Sequence, residues 1–585
     1  VLETLLVVVV AVVVIALATA LAPRVNVAGP LVLMAIGLGV SVLPFVPAWE
    51  IDPEWILVGI LPPLLYSAAV QLPAVEFRRD LGPIAGLSVL LVVLSSVVLG
   101  VVFTLLIPGI GLPLGIALGA ILSPTDAVAT SIAKRLGLSP RVVTMLDGES
   151  LLNDATALVL LRTAVAAIAG GFAFGDTVWA FVWAVAIALA LGAGMGWVNL
   201  RVRQWVAHPA ANTALSFTVP FLAYLPTEAL GGSGLVASVM AGIVTGQGAA
   251  RRFTPEQRMS DHLNWRTVEL LLEGAVFLIM GLELKEIVRA NVEEHEGVWY
   301  AASLALAALG ITLAVRAAYV SVLIWAQGRR SHPRRRVRAD AAGERLDDLE
   351  ARLDRRLPAD TADASGDKAA EARVRGLRRR LAWMRGRMTR MMRDLDYYRD
   401  SPLGWRHGTV IVWAGMRGVV TLAAAQTLPA ETANRSLLVF VAFLVAVLSL
   451  TLQGFTLPWL VARLGLSREG TDRPSRHDQQ SLWAELQAAA AEAIAAGRVR
   501  RRDGGAFPED VARHVTARLT REPEEDETAR ARELLELRVA LIAVMRERLV
   551  AVSRDGRFST AALRQALAEL DADQLSLELR LDGED

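Results

Sequence analysis

The chain has no cysteine, which excludes disulfides, thiolate metal sites and cysteine nucleophiles. Its seven histidines are scattered, with no pair at the spacing that puts two imidazoles on one helix face, so no transition-metal site is expected. There is no Gly-rich Lys-Ser/Thr phosphate loop, which removes ATP-driven pumping. No nucleophile–base set is present, which removes a hydrolase, and no cofactor is expected. The net charge of +1 averages a basic insert against an acidic tail and calls for no nucleic-acid partner.

What the chain has in quantity is apolar sequence. Hydrophobic residues make up 54% of its 585 positions, the composition of an integral membrane protein with polar segments outside the spans. The expected fold is all-α. About thirteen apolar stretches read as transmembrane helices, near 3–22, 27–46, 54–71, 83–107, 112–134, 141–168, 177–200, 211–228, 232–250, 265–283, 297–326, 404–428 and 434–462. The first lacks a basic flank and a small-residue cleavage pattern, so it reads as a retained span. Arg24, Arg78, Arg79, Lys134, Arg135, Arg141, Arg201, Arg203, Arg251 and Arg252 fall in alternate loops, and the loops between carry acids or no charge. The positive-inside rule then places the N-terminus outside and the C-terminus in the cytoplasm.

The expected organisation is a transmembrane block 1–327, an arginine-rich cytoplasmic insert 328–400, two further spans in 401–465, and a cytoplasmic helical domain 466–585. Within the insert, 371–397 reads as a basic amphipathic helix, either solvated or resting on anionic lipid. The tail shows helical patterns at 480–498, 524–549 and 559–570. With an odd span count, spans 1–6 and 8–13 form two repeats of inverted topology. Their fifth members, spans 5 and 12, both carry helix breakers: Ser123-Pro124-Thr125-Asp126 and Gly415-Met416-Arg417-Gly418. Interrupted helices at matching positions mark a midplane site in secondary transporters.

An ionisable group at membrane depth costs roughly 3 kcal/mol on insertion scales, so it is rarely kept without a partner, an ion pathway or a proton relay. Span 6 carries Glu149, Asn153 and Asp154 in an otherwise apolar run. On a helix Glu149 aligns with Asn153, and Ser150 with Asp154. Ser150 and Asp154, joined by Asp126 and a carbonyl freed at Pro124, give an all-oxygen cage of the kind hard cations prefer. Asp154 is the natural exchange group, because one carboxylate holds a cation or a proton but not both. Asn153 reads equally as a helix-to-helix hydrogen bond or a functional group. Arg417 cannot lose its charge and needs a buried partner: Glu149 first, Glu273 otherwise. Arg316, mid-span in span 11, reads as paired with an acid such as Glu273 or as lining an inner cavity.

With these residues in place, the chain resembles the monovalent cation:proton antiporter-1 family, which includes NhaP-type sodium/proton antiporters and animal sodium/proton exchangers. The resemblance rests on Leu61-Pro62-Pro63-Leu64-Leu65, Ser123-Pro124-Thr125-Asp126, Gly148-Glu149-Ser150-Leu151-Leu152-Asn153-Asp154, Glu273-Gly274-x-x-Phe277 and Gly415-Met416-Arg417-Gly418, in this order, over about residues 1–465. It implies thirteen helices, a dimerisation domain and hence a homodimer, and a core with two crossed, unwound helices. It implies Na+ (or Li+ or K+) and H+ as substrates at the plasma membrane, with Asp154 as the shared binding acid assisted by Thr125, Asp126 and Ser150. Glu149 with Arg417 is similar to the family's buried ion pair, and an Asn-Asp site implies electroneutral one-for-one exchange. The insert 328–400 departs from the compact family pattern. A potassium/proton antiporter is the alternative within the fold; a regulated channel or transport-derived sensor is the alternative outside it.

Overall fold

A computed structural model gives the architecture. It describes residues 2–25, 27–44, 52–170, 174–206, 208–293, 297–330, 402–467, 476–501 and 505–519, with short stretches within 379–398 and 535–581. Every regular element among the described residues is helical. Most of the expected helix at 371–397, and most of the tail patterns at 524–549 and 559–570, lie outside the described residues.

Chain order begins with α1 (Leu2–Leu21) and α2 (Gly29–Ser41), followed by α3 (Leu61–Gln71). The turn before α3, Trp55–Ile60, is wound wide, as expected ahead of Pro62 and Pro63, which donate no N–H and crowd the preceding carbonyls. Short α4 (Ala74–Arg79) and α5 (Leu81–Ala85) lead into α6 (Leu91–Leu106). Next come α7 (Leu112–Leu122), α8 (Val128–Arg135), α9 (Pro140–Gly170), α10 (Phe174–Arg203), α11 (Pro209–Ala229) and α12 (Gly234–Arg252). They are followed by α13 (Pro255–Leu282), α14 (Leu284–Glu293), α15 (Val298–Arg330), α16 (Trp405–Trp413), α17 (Val419–Gln426) and α18 (Arg435–Leu464). A separate compact unit, Asp472–Asp585, contains α19 (Arg476–Ala495) packed on α20 (Glu509–Leu519).

Among the described residues, five helices are long and apolar enough to cross a membrane: Leu81–Leu106, Pro140–Ile168, Trp179–Arg203, Val298–Gly328 and Arg435–Leu464. Other apolar helices are shorter, among them Gly29–Ser41, Trp55–Gln71 and Leu112–Leu122. One element was not expected. Residues 284–293 form a helix where the acids Glu283, Glu286 and Glu293 read as a loop. Leu284, Ile287, Val288 and Asn291 recur at helical spacing, and Ile287 and Asn291 are buried. That apolar stripe, not the acids, sets the local structure.

The helices of the first unit pack as two groups. In one, α2 lies on α13, α12 on α3 and α10, and α11 on α12. Small residues permit the approach: a side chain on Gly37 would run into Leu278 and Gly281 of α13. In the other, α7 lies on α6 and α9, α15 on α16 and α18, and α17 on α18. Both broken helices belong to this second group, and α9 runs beside them.

Candidate cation and proton site

Two interruptions build the site. The helix ends at Leu122 and resumes at Val128, because Pro124 supplies no N–H to continue the hydrogen-bond ladder and its ring crowds the preceding turn. A second helix ends at Trp413 and resumes at Val419. The two unwound segments meet through backbone: the Asp126 N–H donates to the Met416 carbonyl at 2.7 Å.

Four helix ends face this junction, each with unmade backbone bonds, and two opposite charges answer them. The Asp126 carboxylate accepts from the Val128 N–H at 2.9 Å and also from the Val419 N–H. It therefore caps the N-termini of both α8 and α17, where the partial charge is positive. Arg417 does the reverse. Its Nε donates to the carbonyl of Leu122, the last residue of α7, at 3.0 Å, and its Nη1 donates to the Gly415 carbonyl just past α16. Its backbone N–H donates to Ser449 Oγ of α18 at 2.9 Å. Gly418 makes this fit possible, since a Cβ there would overlap the Asp126 carboxylate.

This geometry corrects two expected pairings. Arg417 does not pair with Glu149, because its donors are held by the orphan carbonyls of the broken helices. Glu149 instead forms a two-pronged ion pair with Arg316 of α15, through Nη1 to Oε1 and through Nη2 to Oε2 at 2.8 Å. Arg316 Nε also donates to the Ile411 carbonyl at 3.0 Å. An ion pair of Glu273 with Arg316 is likewise absent among the described residues, since Glu149 occupies that guanidinium. Glu273 lies on α13, and its charged neighbours are Asp126 and Glu269.

The remaining predicted residues divide between two clusters. Thr125 Oγ1 accepts from Asn153 Nδ2 at 2.6 Å and donates to Glu149 Oε1 at 3.3 Å, which links the first break to α9 and α15. Asn153 Oδ1 is buried without a hydrogen-bond partner. Asp154 is buried, accepts no hydrogen bond from any described residue, and has Asp126 as its charged neighbour. Ser150, one turn earlier, spends its proton on the Asp147 carbonyl at 3.1 Å, which leaves its oxygen as an acceptor. Asp154, Asn153 Oδ1 and Ser150 Oγ thus offer oxygens with little protein hydrogen bonding, a donor set fitted to a hard monovalent cation. No group of three or more His, Asp or Glu side chains is placed to hold a metal ion among the described residues.

Sequence reading passed over several polar groups here. Thr130 Oγ1 on α8 and Thr421 Oγ1 on α17 are buried and unpartnered; they stand four residues after Asp126 and Arg417 respectively, and that spacing was the available signal. Ser95 of α6 shares a 2.7 Å hydrogen bond with Ser123. With Glu149, Thr312, Arg316 and Arg417 these serines line a void of about 10 Å³, room for one water. A larger cavity of about 250 Å³ opens at the Arg258 end of α13, lined by Tyr66, Gln71, Thr245, Asp261 and Trp265. Asp261, Glu269 and Glu273 share one face of α13, so acids lead from that cavity toward Asp126.

The profile of the family described as "Sodium/hydrogen exchanger, transmembrane" matches residues 9–337 and 383–463. The chain is 36% identical over 284 residues to the uncharacterised Na+/H+ exchanger YjcE of Escherichia coli K12; the match spans 46% of this chain and 51% of YjcE. It is 25% identical over 463 residues to the Na+/H+ antiporter ApNhaP of Aphanothece halophytica, spanning 78% and 73% of the two chains. The fold matches that of the sodium proton antiporter MjNhaP1 from Methanocaldococcus jannaschii, with TM-score 0.55 and 14% identity over 79% of this chain and 99% of MjNhaP1.

Two outcomes check the geometry. Glu149→Ala and Arg316→Ala should each destabilise the protein by roughly 3–5 kcal/mol, since each strands a buried charge, while a Glu149→Leu/Arg316→Met double replacement should cost clearly less. Thermal unfolding in detergent reads this, and single variants as stable as wild type would refute the pair. Gly418→Ala should disrupt the junction and abolish transport, whereas alanine at Gly39, which meets open space, should be silent; equal behaviour of the two would count against the Asp126 contact.

Proposed function

The chain belongs to the sodium/hydrogen exchanger family, and from that premise we propose that it is a secondary active transporter exchanging Na+ for H+ across the plasma membrane, with both ions competing for Asp154. The observation that carries this reading is the state of Asp154. It is a buried carboxylate with no hydrogen bond from any described residue, beside two broken helices whose end charges are already balanced by Asp126 and Arg417. A group so placed is free to trade a proton for a cation, while its neighbours are committed to holding the backbone.

The supporting roles follow from the contacts. Asp126 holds the two helix N-termini through the Val128 and Val419 N–H groups, and its carboxylate lies beside Asp154 where the cation enters. Ser150 and the free oxygen of Asn153 complete an oxygen lining, and Thr125 holds Asn153 in place. Glu149 and Arg316 tie α9 to α15. Glu269 and Glu273 draw cations from the larger cavity.

In this reading, spans 1–6 and 8–13 are inverted repeats that rock or slide to expose Asp154 to each side in turn. The N-terminus faces outward, the C-terminus and residues 328–400 and 466–585 face the cytoplasm, and two copies form a homodimer. Exchange is one for one: Asn153 cannot titrate, so a single acid carries either Na+ or H+ and the same net charge moves in both directions.

Asp154→Asn should abolish cation-driven proton movement in proteoliposomes while purification behaviour stays that of wild type. Substantial residual exchange by that variant would refute the assignment, and running the assay with Na+, Li+ and K+ in turn ranks the substrates. Electroneutrality has its own check. A potassium–valinomycin potential imposed at constant proton gradient should leave the Na+ flux unchanged, and a clear acceleration would require a second titrating group.

A further inference from the structure

Ion pairs hold α9 near both ends, and they differ in what they join. At its start, Arg141 and Asp80 form a buried two-pronged pair, Nε and Nη2 each at 3.0 Å. Gln327 of α15 accepts from Arg141 Nη2 at 3.1 Å, and the Tyr397 hydroxyl donates to Asp80 Oδ2 at 3.1 Å. Asp147 pairs with Lys134 of α8 at 3.0 Å, and Glu149 pairs with Arg316 of α15. These three pairs tie α9 to α8, to α15 and to the segment leading into α6, all on the side of the broken helices. A fourth pair crosses to the other group. Arg162 Nη1 donates to Glu228 Oε2 at 2.6 Å, and Glu228 is the penultimate residue of α11.

The acid side of this contact is firmly held. Glu228 Oε1 accepts from the N–H of Gly234, the first residue of α12, at 3.0 Å. The turn between α11 and α12 is pinned to α10: Ser233 N–H donates to the Ala184 carbonyl at 3.2 Å, and Trp183 Nε1 donates to the Leu230 carbonyl at 3.2 Å. Tyr224, one turn before Glu228, lies beside the same guanidinium. Arg162 in turn shares a face of α9 with Asp154 and Leu158, at successive four-residue steps, and stands about 12 Å beyond Asp154 along the axis. The large cavity lies at the opposite end. Asp261 in its lining pairs with Arg203, and Arg203 also holds Asn212 at the start of α11. Asn212 and Glu228 stand near opposite ends of that helix, about 24 Å apart. The exchange site thus has an open cavity toward one end of α11 and a made contact at the other.

We propose that Arg162 and Glu228 are the latch that keeps the exchange site shut on the side away from the cavity, and that this pair parts once in every transport cycle. The role rests on the exchanger reading above. Moving one group of helices against the other breaks contacts that cross between them, while contacts inside a group survive. Arg162–Glu228 is such a crossing contact, and Leu158, buried one turn from both Asp154 and Arg162, is the plug beneath it. The partly exposed setting suits the task. Arg162 is 58% and Glu228 24% exposed, and a pair in such surroundings shifts a population by about fivefold or less. A buried pair such as Glu149–Arg316 is too costly to part on every turnover.

The chain has no cysteine, so introduced thiols report alone. Full-length Arg162→Cys/Glu228→Cys is reconstituted in vesicles and bridged with a short, reducible bis-methanethiosulfonate. Na+/H+ exchange is read before bridging, after it, and after reduction. A bridge within one chain, verified by mass, should lower exchange at least about tenfold and release it on reduction, a change of about 1.4 kcal/mol in barrier. Each single-cysteine variant given the same reagent should keep its rate. Exchange that persists at the unbridged rate overturns the proposal, because a contact that never parts is a brace and not a latch. A folded but inactive unbridged variant also overturns it, since losing so weak a pair cannot abolish turnover. The second arm reads accessibility without transport. Leu158→Cys is labelled with a membrane-impermeant maleimide, alone and combined with Glu228→Gln, which keeps an oxygen for the Gly234 N–H but loses the charge. The maleimide is applied in turn to intact cells and to inside-out vesicles. Glu228→Gln should speed labelling about two- to fivefold from one face and leave the other unchanged; no change from either face overturns the latch. If Leu158→Cys does not fold, hydrogen exchange of the 155–162 amides in Glu228→Gln takes its place, with faster exchange expected and an unchanged rate decisive against. Absence of Na+ flux in wild type would overturn the exchanger reading instead, and the labelling arm would still decide whether the pair shuts the site.

Discussion

Breaking two helices inside an apolar bundle leaves carbonyls and N–H groups with nowhere to bond, and everything around the junction answers that cost. An unpaired buried backbone group is worth roughly 1–3 kcal/mol against folding, and each break strands several. The chain meets this need with two charges placed in opposite sense: Asp126 on the N-terminal ends and Arg417 on the C-terminal ends. The Asp126–Met416 backbone bond then fixes the two segments to each other. Neither charge is spare, which is why Glu149 has to find its counter-ion elsewhere.

That division of labour leaves Asp154 different from the acids that hold the scaffold together. Glu149 is neutralised by Arg316, Asp80 by Arg141, and Asp126 by helix ends. Asp154, beside Asp126, is the one of these with no donor among the described residues. That difference is what singles out Asp154 as the exchange group in the proposed mechanism.

The sequence made the breaks legible because Pro124, Gly415 and Gly418 are covalent facts with local consequences. It made the depth of Glu149, Asp154, Arg316 and Arg417 legible because charges interrupt apolar runs. It did not make the pairing legible. Glu149 and Arg316 are 167 positions apart, and which arginine reaches the acid depends on helix rotation and on how many carbonyls compete for Arg417. The Asp126–Met416 bond could not be read at all, because backbone atoms carry no residue-specific signal. Helix α14 was obscured differently: its acids dominated the composition, while its apolar stripe of Leu284, Ile287 and Val288 was short enough to pass for a loop.

Gln327 and Tyr397 stand at the two ends of the insert, and both touch the Asp80–Arg141 pair. The chain thus leaves the helical body and re-enters it at one point. The entropy of closing a loop rises only with the logarithm of its length, so a segment pinned at both ends is cheap to lengthen, shorten or replace. The helices on either side, α15 and α16, feel the same boundary whatever lies between them. Such a place in a fold is a port, where new sequence can be accepted over evolutionary time, or by an engineer, without renegotiating the packing that holds the ion site.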